Sequence, residues 1–177
     1  MKQRISNGEY GIKILRDFTF SVLYIPKNSI IFESNEVWEN KCRTNLAYVV
    51  DTFAINCLGI CKASIGALSI YEDDDLISYP DDKANAYCKI MVSKRIVYAP
   101  GRYVKPIHEF DDKPLVCSSG IHFFKTWKDL ANSQMFAEEV KKHFSYNIMD
   151  YENVYSTVEH LVNEIVEGHM KTMEEDK

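Results

Sequence analysis

The sequence predicts an α+β fold, a strongly curved and mainly antiparallel sheet covered by a helix after its last strand and extended by a C-terminal amphipathic helix. Period-2 apolar runs dominate the first half, a capping box opens a helical pattern near residue 126, and a second amphipathic stripe runs towards residue 170. The 177 residues, 46% of them apolar, can bury the core of one domain. The expected organisation is therefore a single α+β domain over residues 1–145 with a helical extension over residues 146–177.

Phe18, Phe20, Val22 and Tyr24 alternate with Thr19, Ser21, Leu23 and Ile25 until Pro26 ends the run, which is the period of a strand with a definite stop. Residues 10–15 form a candidate partner strand. Residues 29–32 and 46–50 are further β-rich runs, and the polar stretch from Glu33 to Thr44 between them reads as an exposed connection. Residues 53–71 support two readings: Ala54, Cys57, Leu58 and Cys61 have helical spacing, while Gly59 and Gly66 weaken a helix and residues 68–71 suit a strand. After the acidic residues 72–75 and 80–82, residues 87–92 and 95–98 flank a short break and predict a hairpin.

Pro100-Gly101 and the cluster at residues 111–114 are turns. Thr126 with Asp129 three residues on makes a capping box, and Trp127, Leu130, Ala131, Met135 and Val140 give one apolar face, so a helix is expected over residues 126–143. Val154, Val158, Leu161, Val162 and Ile165 define the stripe of a last helix from about residue 150 to 170, with residues 173–177 fraying.

The net charge of −5 argues against a broad nucleic-acid surface. No stretch approaches the roughly 18 uninterrupted apolar residues of a membrane span. The N-terminal residues lack a secretory signal, and five cysteines, an odd number, suit a reducing compartment, so a chain that is not secreted is expected.

Residues 117–124, Cys-Ser-Ser-Gly-Ile-His-Phe-Phe, join a strand to the capped helix. Together with Val22-Leu23-Tyr24-Ile25-Pro26 and Lys41-Cys42-Arg43-Thr44-Asn45-Leu46-Ala47-Tyr48-Val49 upstream, this block resembles an uncharacterised domain family of large DNA virus proteins. Relatives of that family also stand beside pentapeptide repeats, and a looser likeness extends to phage proteins bearing Cys-x-x-Gly-Leu-His. The likeness runs from about Tyr10 to Phe136; the long middle at residues 53–86 and the helix after Tyr146 depart from the family pattern. The resemblance implies a viral or phage accessory protein acting by binding, within a virion or on a host component in the host cytoplasm, and it brings no catalytic role or cofactor with it.

The rival expectation is an enzyme. A thiol at Cys117 beside His122, with His108 as a further candidate, could act as a nucleophile, and Ser118, Ser119 and Gly120 could supply backbone donors for an oxyanion or an anion nest. In an extended strand, however, Cys117 and His122 point to opposite faces with about 16 Å between their Cα atoms. The plainer expectation is that Cys117 packs in the core, Gly120 meets a backbone demand and His122 bonds to a neighbouring loop. The block also has a faint likeness to the Gly-Ile-Tyr-Phe strand of ADP-ribosyltransferases, without the companion elements of that site.

Other constellations are weaker. The close cysteines, Cys57 and Cys61, lack a second pair, so no zinc site is expected; residues 72–75 lack the Gly and Glu of a calcium loop. Arg102 and Tyr103, with Lys105 and Tyr98 nearby, mix basic and aromatic groups and are the candidate binding residues beside Ser118, Ser119 and Gly120. The stripe of Val154, Val158, Leu161 and Ile165 must dock back on the domain or meet a protein partner or a second copy.

Overall fold

The computed structural model describes residues 2–34, 40–56, 59–62, 67–68, 97–106, 109–110, 119–143 and 151–175. The strands are β1 (Lys2–Ile5), β2 (Glu9–Leu15), β3 (Thr19–Ile25), β4 (Ile30–Glu33), β5 (Lys41–Thr44), β6 (Ala47–Asn56), β7 (Gly59–Lys62), β8 (Ala67–Leu68), β9 (Val97–Tyr98), β10 (Tyr103–Val104) and β11 (Ile121–Phe124). Three helices follow: α1 (Trp127–Ala131), α2 (Gln134–His143) and α3 (Tyr151–Glu175). Eight strands line up as β1-β4-β5-β11-β2-β3-β6-β10 in an open antiparallel sheet, with β7 beside the far end of β6; β8 and β9 pair separately. The expected α+β architecture with its C-terminal helix is the one observed.

The β2–β3 hairpin organises the centre. Its register runs without interruption from Glu9↔Ile25 to Leu15↔Thr19, so residues 10–15 do pair with the alternating run. The connection Arg16–Phe18 places Asp17 at φ 56° and Phe18 at φ 52°. Asp tolerates the left-handed region, but Phe there costs on the order of 1–3 kcal/mol. Phe18 is nonetheless buried, its ring 5.1 Å from Phe20 and 5.5 Å from Phe136. Burying a Phe side chain contributes roughly 1.5–3 kcal/mol, enough to offset the strained backbone.

Both faces of the sheet carry a core. Ile12, Ile14, Phe20, Val22, Phe53, Ile55 and Phe124 pack under Trp127, Leu130, Phe136 and Val158 of the helices. On the opposite face Leu15, Leu23, Ile25, Val49, Ile121 and Phe123 form a second cluster that draws in Ile31 from β4, Val104 from β10 and Tyr98 from β9. A bulge in β6 makes this division possible: Val22 pairs with Asp51 and Leu23 with Val49, leaving Val50 as the extra residue. The bulge reverses the facing of β6, so that Ala47 and Val49 serve one core and Phe53 and Ile55 the other.

Several local expectations are corrected. The polar run 33–44 is not wholly an exposed connection, because Lys41–Thr44 is an inner strand between β4 and β11. In the ambiguous region β6 continues to Asn56 and β7 pairs antiparallel with it, so the described part is strand. Val97 and Tyr98 pair with Leu68 and Ala67; the expected partner run 87–92 lies outside the described residues. The helix expected over 126–143 is broken. Thr126 caps α1 through its hydroxyl, which accepts from the Asp129 amide at 3.1 Å, but Ser133 then donates to the Leu130 carbonyl at 2.6 Å and accepts from the Phe136 amide at 3.2 Å. That one hydroxyl closes α1 and opens α2, as serine does at helix starts. At the other end α3 continues through Glu175, beyond the point where fraying was expected.

Candidate functional site

The strand β11 that carries the signature lies in the middle of the sheet, between β5 and β2. Ser119, Gly120 and every residue of β11 are buried, His122 with 3% of its surface exposed. Cations from the two flanking strands hold its backbone. Arg43 of β5, fully buried, donates from Nη1 to the Ser119 carbonyl at 2.9 Å and lays its guanidinium 4.3 Å from the Phe32 ring centre and 5.0 Å from that of Phe110. Lys13 of β2 donates from Nζ to the His122 carbonyl at 3.0 Å and stands 5.5 Å from the Tyr98 ring. Charged donors to carbonyls and aromatic faces compensate part of the desolvation that burying these cations costs.

Glycine is required here by close approach. A Cβ on Gly120 would meet Phe110 at 3.1 Å and the Arg43 stem at 3.2 Å, and on Gly11 of the neighbouring strand it would stand 2.3 Å from Phe123 Cδ2. Cys42 precedes Arg43 in β5, and burial pushes its thiol up to about 12, which leaves it protonated and unreactive. Nearby, Arg4 joins Glu9 and Glu33, and Lys125 joins Glu33 at 2.8 Å, tying β1, β2, β4 and the end of β11 together. Burial raises the Glu33 carboxyl, but the bonds from Lys125 and Arg4 outweigh it and hold the group below the usual carboxylate range.

The expected site residues that are described fall in two places. Cys117, Ser118 and His108 lie outside the described residues. His122 is in register with Arg43 inside the sheet, and the Ser119 carbonyl and Gly120 lie against the buried Arg43 and Phe110. Arg102 and Tyr103 are exposed at the far edge, with β2, β3 and β6 between β10 and β11. The stripe of α3 turns towards the chain's own sheet: Val158 is fully buried and Leu161 and Ile165 are partly buried against the same core; Val154 lies within the helix.

What the sequence reading missed is a row of tyrosines. Tyr10 pairs with Tyr24, Tyr24 with Tyr48, and Tyr48 with Tyr103, so four phenols stand abreast on β2, β3, β6 and β10. Rings of the outer pairs lie 5.2 Å and 5.0 Å apart. Gly8, at φ 88°, makes room for the row, since a Cβ there would stand 2.7 Å from the Tyr24 hydroxyl. His169 of α3 lies over three of the four, 5.8 Å from Tyr10, 5.4 Å from Tyr24 and stacked 5.4 Å from Tyr48, and its Nδ1 is 2.9 Å from the Tyr10 hydroxyl.

No family model, no curated protein and no solved structure matches this chain. Its function has to be argued from the geometry. Among the described residues no group of three or more His, Cys, Asp or Glu side chains is placed to hold a metal ion, and no helix is long and apolar enough to cross a membrane. The fourth tyrosine is the open one: Tyr103 is 63% exposed, next to the exposed Arg102. The turn before it is rigidly held, with Gly101 at φ 80°, its amide donating to the Val49 carbonyl at 2.9 Å, and the Val49 amide donating to the Arg102 carbonyl at 2.8 Å.

Proposed function

We propose that this chain is a viral or phage accessory protein that acts by binding a protein partner, in the host cytoplasm or within the virion, and not by catalysis. The viral origin rests on the resemblance of the signature block. The binding mode rests on one observation, the pairing of exposed Tyr103 and Arg102 on a backbone anchored to β6. Tyr and Arg are the side chains that most often carry interface energy, and an anchored turn loses little conformational freedom on association. The burial of Ser119, Gly120 and His122 supports the same reading, since the most conspicuous residues of the signature are used to build the sheet.

A photoreactive side chain introduced at position 103 tests the proposal in host cells. The expected result is a discrete adduct with one protein, or with a second copy of the chain, that disappears in Arg102→Glu. Absence of any adduct, together with rapid thiol labelling of Cys117 in the native protein, would overturn the proposal in favour of nucleophilic catalysis.

A further inference from the structure

We propose that His169 is an acid-sensitive clasp: as a neutral imidazole it holds the end of α3 on the tyrosine row, and its protonation loosens that end and uncovers Tyr10, Tyr24 and Tyr48 beside Tyr103. The inference concerns the docking of the helix and stands whether or not the row meets a partner.

The geometry defines the neutral state. With its proton on Nε2, the imidazole accepts the Tyr10 hydroxyl at Nδ1 over 2.9 Å while its ring stacks on Tyr48 at 23° between planes. The groups facing it are Tyr10 from β2, Tyr24 from β3 and Tyr48 from β6, all of them phenols. Along α3 the neighbours one turn away are Ile165, Val166, Thr172 and Met173, which carry no charge. Glu9 precedes Tyr10, but alternation turns it to the opposite face, where Arg4 holds it. Among the described residues the charged groups near the row are Lys27, whose stem flanks Gly8 together with the Tyr24 hydroxyl, Asp51 of β6, which pairs with Val22 on the same face and accepts from the Thr52 amide, and exposed Arg102 beside Tyr103.

Among the described residues the ring's partners are phenols, so an imidazolium at this position gains no bonded carboxylate. Taking a proton from solvent at Nδ1 removes the acceptor that the Tyr10 hydroxyl uses, and the aromatic faces return less than a paired anion would. Burial accordingly holds the His169 pKa below its ordinary value. The sign follows from linkage. The released imidazole binds its proton more tightly than the docked one, so docking is at full strength above about pH 6.5, the ordinary histidine value, and weakens as pH falls through the lowered one.

Hydrogen exchange of the full chain, read by mass spectrometry over residues 162–175 and corrected for intrinsic rates, tests the clasp. Protection of this segment is expected to fall several-fold between pH 7.5 and pH 5.5 in the wild type and in His160→Gln, which changes an exposed histidine of the same helix. In His169→Gln, which keeps an acceptor for Tyr10 but cannot titrate, protection is expected to stay level. An equal acid step in His169→Gln, or no step in the wild type, overturns the proposal. Should that variant fail to fold, NMR titration of the wild-type imidazole decides: a midpoint below that of a histidine in an unstructured peptide supports the clasp, and one at or above it overturns it.

Discussion

The signature strand and the tyrosine row are both assemblies of chemistry-bearing side chains, yet the sheet treats them oppositely. β11 is an inner strand with partners on both sides; Ser119 and Gly120 before it and His122 within it are buried, and Arg43 and Lys13 bond the Ser119 and His122 carbonyls. The row crosses strands, ends at an edge, and leaves Tyr103 in solvent. In the signature region the conspicuous local pattern coincides with close backbone approaches, at Gly120 and at Gly11 of the neighbouring strand. Residues scattered over more than ninety positions of sequence, from Tyr10 to Tyr103, can still form one continuous row, because antiparallel register brings them abreast.

If the signature region is architecture, its removal must unfold the protein. Arg43→Ala takes a donor from the Ser119 carbonyl and opens a void beside Phe32 and Phe110, so a loss of about 3–5 kcal/mol is expected in urea unfolding. A change under about 1 kcal/mol would show that the clamp is not structural. Gly11→Ala drives a methyl into the Phe123 ring and is expected to cost about 1–3 kcal/mol by the same measurement; Gly120→Ala, with contacts near 3.1 Å, should cost less. A larger loss at Gly120 would reverse the assignment of the tighter packing to the β2–β11 contact.

Smaller effects sharpen the contrast. Thr126→Ala removes the α1 cap and should lower stability by about 1 kcal/mol, read as a shift in the unfolding midpoint without a change in slope. Tyr103→Ala should fall within about 0.5 kcal/mol of the wild type in stability while abolishing the adduct formed from a photoreactive side chain at the neighbouring position 102. A marked destabilisation by Tyr103→Ala would move the open end of the row into the structural class occupied by β11.

Much of the scaffold was legible before any coordinates. The alternation through residues 18–25, its partner at residues 10–15, the Thr126 cap and the apolar stripe of α3 all follow from short-range periodicity, and each is present. The run Lys41-Cys42-Arg43-Thr44 was not legible as an inner strand, since cations in a sequence signal solvent unless their counter-groups can be seen. Here those groups are a carbonyl 76 positions away and two phenylalanine rings. The break at Ser133 was equally hidden, because an Asn-Ser pair inside a helical period is tolerated until packing selects the cap.

The amino-acid order by itself determined the central hairpin of residues 10–25, the Thr126 cap and the apolar stripe of α3, because those features depend on neighbours within one or two turns of chain. Tertiary structure alone decided that Ser119, Gly120 and His122 are enclosed, that Arg43 and Lys13 can be buried, and that four tyrosines and His169 meet. Those outcomes depend on strand order and register, which bring together groups that no local pattern connects.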